Sequence, residues 1–164
     1  MKTVADLQKY LSTLENAPAH YTMGVAAIIF DDRGRILLEK RGPKARDSAG
    51  ALEGVAGGLE PGEKDFHQAL QREVNEELGD DVVIQVDSLL MVLIKEGKNG
   101  VWWVIPQFLC RLVSGKPKIM EPEKCVALEW YNLEDLDLNQ LSNFVREVFV
   151  VYKKKYGNRA YYIK

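Results

Sequence analysis

Residues 57–80 read GGLEPGEKDFHQALQREVNEELGD and determine how the rest of the chain is interpreted. A glycine-rich turn opens this stretch. From Asp65 to Leu78 apolar residues then recur every three or four positions, which predicts an amphipathic helix ended by Gly79. The apolar positions of this helix are Phe66, Ala69, Leu70, Val74 and Leu78.

Three glutamates on this helix point to a metal site. Glu73, Glu76 and Glu77 stand at i, i+3 and i+4, so they share one face, opposite the apolar stripe. Like charges at these spacings repel, and the negative end of the helix dipole opposes them further. A divalent cation such as Mg²⁺, which prefers oxygen ligands, would reverse that penalty. The alternative is an ordinary solvated acidic face.

The whole stretch resembles the Nudix box, whose pattern is G-x5-E-x7-R-E-U-x-E-E-x-G-U, with U a bulky apolar residue. Gly57 to Glu63 matches the first half, and Arg72 to Gly79 matches the second. The stretch departs from the pattern in two ways. Eight residues instead of seven separate Glu63 from Arg72, and Asp80 occupies the final position, where the pattern has an apolar residue.

The extra residue can be accommodated in two ways. Aligning Gly58 with the first glycine restores the spacing but places Lys64 where the pattern has glutamate. We prefer an insertion at Lys64–Asp65, because the apolar stripe stays in phase from Phe66 onward. This alignment predicts that Glu63 still lies close to Arg72.

The resemblance implies a metal-dependent hydrolase that acts on a nucleoside diphosphate linked to another moiety. It implies Mg²⁺ or Mn²⁺ as cofactor, with more than one ion when substrate is bound. By similarity, the metal ligands are Glu73, Glu76, Glu77 and the backbone carbonyl of Gly57. Arg72 is expected to orient these carboxylates, and Glu63 to organise the loop.

The catalytic base is expected to be either Glu77 or a carboxylate outside the box. Glu121 and Glu123, in the segment MEPEKC, are the outside candidates, and this segment looks like the one found in Nudix enzymes that cleave nucleoside triphosphates. The alternative for these two residues is a charged surface loop.

Substrate contacts are predicted around the end of the second strand and in the glycine-rich turn. The candidates for phosphate binding are Arg41, Lys44 and Arg46, with Gly58 in the turn; the alternative is a solvated loop. Adjacent Trp102 and Trp103 point to opposite faces of their strand, so at most one of them faces a given pocket.

The flanking sequence predicts an α/β fold, a Nudix-type α/β/α sandwich with a mixed sheet, as a single domain over residues 1–164. Residues 1–18 form an N-terminal helical extension, with Thr3 as its N-cap. A hairpin turns at residues 31–34, three strands follow the box, and a final helix spans residues 138–156. Pro106 indicates that its strand is at an edge or bulged.

Composition excludes several classes of protein. The chain has 164 residues, a net charge of −2 and 46% hydrophobic residues, so we expect no stable nucleic-acid binding. No apolar run reaches bilayer length and no signal peptide is recognised, which favours a cytoplasmic protein without membrane association. We expect Cys110 and Cys125 to be reduced and buried. The N-terminal helix and the Pro106 strand could supply a homodimer surface.

Three functions remain open at this stage. The first is hydrolysis of a nucleoside triphosphate to a nucleoside monophosphate and pyrophosphate. The second is cleavage of ADP-ribose or another nucleotide sugar. The third is a non-catalytic module that senses a nucleotide, although the ligand glutamates present here favour an enzyme.

Overall fold

The computed structural model describes residues 1–45, 48–97 and 100–163, which form three α-helices and a seven-stranded sheet. The helices are α1 (Val4–Leu11), α2 (Phe66–Leu78) and α3 (Asn143–Tyr156). The strands are β1 (Thr22–Phe30), β2 (Ile36–Arg41), β3 (Leu52–Glu53), β4 (Val55–Gly58), β5 (Val83–Glu96), β6 (Trp102–Ser114) and β7 (Cys125–Tyr131). Across these described ranges, no helix is both long and apolar enough to cross a membrane.

The sheet is mixed, and its main path runs β3-β2-β1-β6-β5. β1 and β6 are parallel, whereas the other pairs are antiparallel. The β1–β2 hairpin turns as predicted, but its strands pair only at Phe30 and Ile36 before they diverge. β4 then pairs with β1, while β3 and β7 pair with β2. This divergence brings β4, with Gly57 and Gly58, to the helix that carries the glutamates.

Two apolar cores lie on opposite faces of the sheet, which confirms the α/β/α sandwich. Side chains alternate along β1, so Val25, Ala27 and Ile29 pack on the side of α1 and α2. Ile28 and Phe30 pack on the other side, against α3. Cys110 and Cys125 are buried free thiols, as expected.

The N-terminal helix is shorter than predicted, but its capping is confirmed. Thr3 caps α1 and forms a reciprocal capping box with Asp6, and α1 ends at Leu11. The segment before α1 pairs with the start of the box helix: the Val4 amide donates to the Lys64 carbonyl, and the Phe66 amide donates to the Lys2 carbonyl. The N-terminal segment therefore forms hydrogen bonds with residues 64–66, where we predicted that the extra residue of the box is accommodated.

Two further expectations need correction. The last helix begins at Asn143, because Ser142 caps it, and only a short 3₁₀ helix covers Leu138–Gln140. The strand that contains Pro106 is not at an edge, since β6 lies between β1 and β5. The nearest bulge is in β5, between Leu89 and Met91. From Trp103 to Arg111, β6 therefore lies between two partner strands and offers no edge there for the predicted dimer contact.

Candidate active site

Helix α2 is regular, and the extra residue is absorbed before it begins. Asp65 caps the helix by accepting hydrogen bonds from the amides of His67 and Gln68. A turn precedes it, in which the Glu63 amide donates to the Glu60 carbonyl and Gly62 adopts a φ of 92°. Glu63 therefore still reaches Arg72, as predicted.

Arg72 contacts both the loop and the acidic residues of the box helix. Its guanidinium binds both carboxylate oxygens of Glu63, with Nε–Oε1 at 2.8 Å and Nη2–Oε2 at 3.0 Å. Nη1 donates to Glu73 Oε1 at 2.7 Å and approaches Glu76 Oε2 at 3.2 Å. Nη2 also donates to the Gly58 carbonyl at 3.0 Å. Because of the bond to Arg72, the pKa of Glu63 is lowered. A forked cation thus ties the loop to the acidic helix face.

Glu73 is not on the solvent side of α2, which corrects the expected exposed acidic face. It is only 7% exposed, and its carboxylate lies against the backbone of β4. A Cβ at Gly57 would come within 1.9 Å of Glu73 Cδ, so only glycine leaves room for this carboxylate. Burial raises the pKa of Glu73, although Arg72 opposes that shift.

Glu77 lies deeper in the site than Glu76, which is exposed. Its Oε2 is buried and has no hydrogen-bond partner in the described part of the chain. Burial, followed by the nearby charges of Glu39 and Glu73, raises the pKa of Glu77 well above its usual value. An orphaned carboxylate oxygen of this kind is costly unless a proton or a cation neutralises it.

Sequence reasoning missed two more carboxylates at this site. Glu39 on β2 and Glu53 on β3 are direct partners across an antiparallel pair, a placement that is destabilising for like charges. Burial, then the charge of Glu53, raises the pKa of Glu39 to about 7. Arg41 Nη1 forms an ion pair with Glu53 Oε2 at 2.7 Å. The sequence did contain a signal for these two residues: each is a glutamate that directly follows apolar residues, in the segments ILLEKR and ALEGVA.

These groups line one large cavity of about 440 Å³, which is within the range of small-molecule sites. One part of its lining is acidic and consists of Glu39, Glu53, Glu73, Glu76, Glu77 and Glu121. Another part is apolar and is built by β6 and α3, with Trp103, Ile105, Phe144, Val145, Val148 and Phe149. The cavity can therefore hold a ligand that has a charged end and an apolar end.

Some of the candidate residues outside the box line this cavity, and others do not. Glu121 lines it and pairs with Lys124, whereas Glu123 is not among the lining residues and pairs with Lys44 in a solvent-exposed ion pair of 2.9 Å. Arg41, Lys44 and Gly58 line the cavity, and Lys124 is a further cation that sequence reasoning missed. Arg46 lies outside the described residues. Of the two adjacent tryptophans, Trp103 lines the cavity and Trp102 is exposed.

The donor set at the acidic end fits a hard divalent cation. It offers carboxylate oxygens, including the orphaned Oε2 of Glu77, and the close approach of Glu73 to Gly57 leaves backbone and carboxylate together. In the described ranges, no three acidic, histidine or cysteine side chains are already converged as a metal shell. The Arg72 guanidinium lies between Glu73 and Glu76, so these carboxylates would have to adjust to bind a metal ion.

Comparison with known proteins agrees with this geometry. The sequence profile of the NUDIX domain family matches residues 20–151. The solved structure of a MutT NUDIX hydrolase from Burkholderia pseudomallei is 34% identical, with a TM-score of 0.67, covering 80% of this chain and 97% of that one. A NUDIX hydrolase from Nitrosomonas europaea is 28% identical, with a TM-score of 0.65, covering 85% and 91%.

The fold and the box define the class of protein: the chain belongs to the NUDIX domain family. A curated relative from Caenorhabditis elegans, named "Putative nudix hydrolase 1", is 32% identical over 131 residues, or 75% of this chain. The chain spans about a third of the length of that relative, since the match covers 33% of it. Helix α1 precedes the segment matched by the family profile.

Proposed function

We propose that this protein hydrolyses nucleoside triphosphates to nucleoside monophosphates and pyrophosphate, with Mg²⁺ or Mn²⁺ as cofactor. The observation that carries the proposal is one large cavity whose lining includes both an acidic and an apolar part. A nucleoside triphosphate has the same division, with a polyphosphate at one end and a planar base at the other. The box glutamates Glu73, Glu76 and Glu77 are all present, which favours an enzyme over a non-catalytic binding module.

The box carboxylates Glu73, Glu76 and Glu77, with the Gly57 carbonyl, would hold the metal ions. When bound, these ions neutralise the phosphates and lower the pKa of a coordinated water. By similarity to the family, more than one ion is expected when substrate is bound. Arg72 keeps Glu73 and Glu76 oriented from the side of the loop.

The chain supplies groups for the remaining steps. We assign proton acceptance to Glu121, because it lines the cavity and Glu77 is engaged as a metal ligand. Water adds to a phosphorus of the α–β anhydride, its proton passes to Glu121, and the anhydride P–O bond breaks to release pyrophosphate. Arg41, Lys44 and Lys124 provide positive charge around the phosphates, although Arg41 also binds Glu53.

The test is a Mg²⁺-dependent hydrolysis screen with products identified by ³¹P NMR. We expect pyrophosphate from at least one nucleoside triphosphate, and slower turnover of ADP-ribose and dinucleoside polyphosphates. Release of inorganic phosphate alone, or turnover of ADP-ribose without any triphosphate, would overturn the assignment. Binding without any turnover would support the sensing module instead.

Two variants connect the reaction to the box. Glu76→Gln and Glu77→Gln should each lower kcat by at least 100-fold while the protein stays folded. Glu134→Gln is the matched control, since Glu134 is an exposed carboxylate outside the cavity. If either box variant kept near wild-type turnover at saturating Mg²⁺, that residue would not be a metal ligand.

A further inference from the structure

Gln107 is a buried polar side chain in the apolar part of the cavity. It lies on β6 and is only 6% exposed. Trp103, Ile105 and Gln107 are two residues apart, so their side chains share one face of the strand, and all three line the cavity. Apolar side chains of α3 line the cavity as well. The Gln107 carboxamide is therefore a polar group with both donors and an acceptor in largely apolar surroundings.

The hydrogen-bonding capacity of Gln107 is largely unused within the protein. In the part of the chain that the structure describes, its side chain makes one long hydrogen bond, from Nε2 to the Ile105 carbonyl at 3.4 Å. A carboxamide has two donor hydrogens and an acceptor oxygen. A ligand in the cavity can therefore pair with the hydrogen-bonding groups of Gln107 that the protein leaves unused.

An aromatic side chain lies on the same face of β6 as this carboxamide, four residues away and about 13 Å along the strand. Trp103 packs close to the backbone of Gly24 and Gly97: a Cβ at these glycines would come within 3.6 Å and 3.1 Å of the indole, respectively. The indole is thus held by backbone contacts on the face that also carries Gln107. A cavity that offers a carboxamide among apolar and aromatic side chains suits a planar ring with polar groups on its edge.

We propose that Gln107 is the specificity-determining residue of this cavity and hydrogen-bonds the edge of a nucleobase. A carboxamide pairs with a base edge that presents a donor beside an acceptor, and such a bidentate pair discriminates between bases. The apolar side chains around it exclude water, so a base without the matching edge leaves the carboxamide unpaired. This inference rests on the proposed function, because the same cavity holds the nucleotide.

The experiment measures binding separately from hydrolysis. Adenosine, guanosine, cytidine and uridine are titrated against the protein in EDTA by NMR, with free ribose as the probe without a base. Uncharged probes avoid repulsion from the acidic carboxylates. We expect at least one nucleoside to bind tenfold or more tightly than ribose, and the four nucleosides to differ by at least fivefold.

Gln107→Leu has a similar volume but cannot form these hydrogen bonds. We expect it to reduce the affinity for the preferred nucleoside at least fivefold and to abolish the differences among the four. Gln85→Leu is the matched control, because Gln85 is an exposed glutamine on β5 that does not line the cavity. An unchanged thermal melt of Gln107→Leu shows that the variant is folded.

Two results would overturn the inference: no nucleoside binds more tightly than ribose, or Gln107→Leu keeps the wild-type preference. Failure of the proposed function is distinguishable from both. Base-dependent binding without any triphosphate turnover would overturn the hydrolysis alone and leave the role of Gln107 intact.

Discussion

Neutralising Glu39 should stabilise the metal-free protein, and the gain should depend on pH. An unfolded glutamate titrates near 4.5, whereas burial and the charge of Glu53 raise the pKa of Glu39 in the folded protein to about 7. Between these values the folded state holds a proton that the unfolded state has released. The free energy of unfolding therefore falls as pH rises from about 4.5 to about 7, and it stays lowered above that range.

The pKa values set the size of the effect. Each pKa unit corresponds to about 1.4 kcal/mol, so the shift of Glu39 lowers the stability by ~3 kcal/mol at pH 8 and by under ~1 kcal/mol at pH 5. Glu39→Gln has a side chain that resembles the protonated acid and removes this penalty. For a chain of this size, ~3 kcal/mol corresponds to roughly 6–12 °C in Tm.

Urea unfolding in EDTA at both pH values measures the prediction. We expect the free energy of unfolding of Glu39→Gln to exceed that of the wild type by ~3 kcal/mol at pH 8 and by under ~1 kcal/mol at pH 5. Glu134→Gln, an exposed control, should show no difference between the two pH values. An equal gain at both pH values, or a loss at pH 8, would refute burial and carboxylate repulsion as the cause.

Three further variants test the loop and the box. Gly57→Ala should lower kcat at least 100-fold while the Tm changes little, because the new methyl group displaces only the flexible end of Glu73. Steady-state kinetics and thermal melts measure these two quantities. Retained activity would contradict the close packing of Glu73 against Gly57. Arg72→Lys should lower stability by ~2 kcal/mol and reduce kcat, because lysine cannot bind Glu63 through two parallel bonds; a urea titration without change would show that the fork is dispensable. Asp65→Ala should lower Tm by ~2–4 °C through loss of the helix cap, with kcat within twofold of wild type; a large fall in kcat would instead place Asp65 among the groups that position the site.

The sequence predicted the parts of the site that depend on local spacing. Helix α2, its Asp65 cap and the contact between Glu63 and Arg72 follow from a stripe that stays in phase, and the structure contains all three. The burial of Glu73 was not predicted, because it depends on how closely β4 approaches the helix. In the structure, the close approach shows in the lack of space for a Cβ at Gly57 beside Glu73.

Long-range pairing explains what was missed. Glu39 and Glu53 become neighbours only because β2 pairs with β3, and nothing in either segment specifies that register. Gln107 lies in the apolar segment VIPQFLC, where strand alternation cannot indicate whether a cavity or a packed core covers it. Of the two alternatives for the Pro106 strand, the edge position was wrong, because β1, which is distant in sequence, pairs with β6 on the side opposite β5 and places it inside the sheet.

The acidic groups of the site are compensated unequally, and this division bears on how a cation would bind. Arg72 contacts Glu63, Glu73 and Glu76, so these carboxylates have a counter-ion inside the protein. In the described part of the chain, Glu77 Oε2 has no hydrogen-bond partner, and burial raises the pKa of Glu77 as it does that of Glu39. A raised pKa of this carboxyl opposes metal binding, because a carboxylate ligand has to be ionised. Metal affinity should accordingly increase with pH, and the box arginine preserves the arrangement of the acidic helix while the cation is absent.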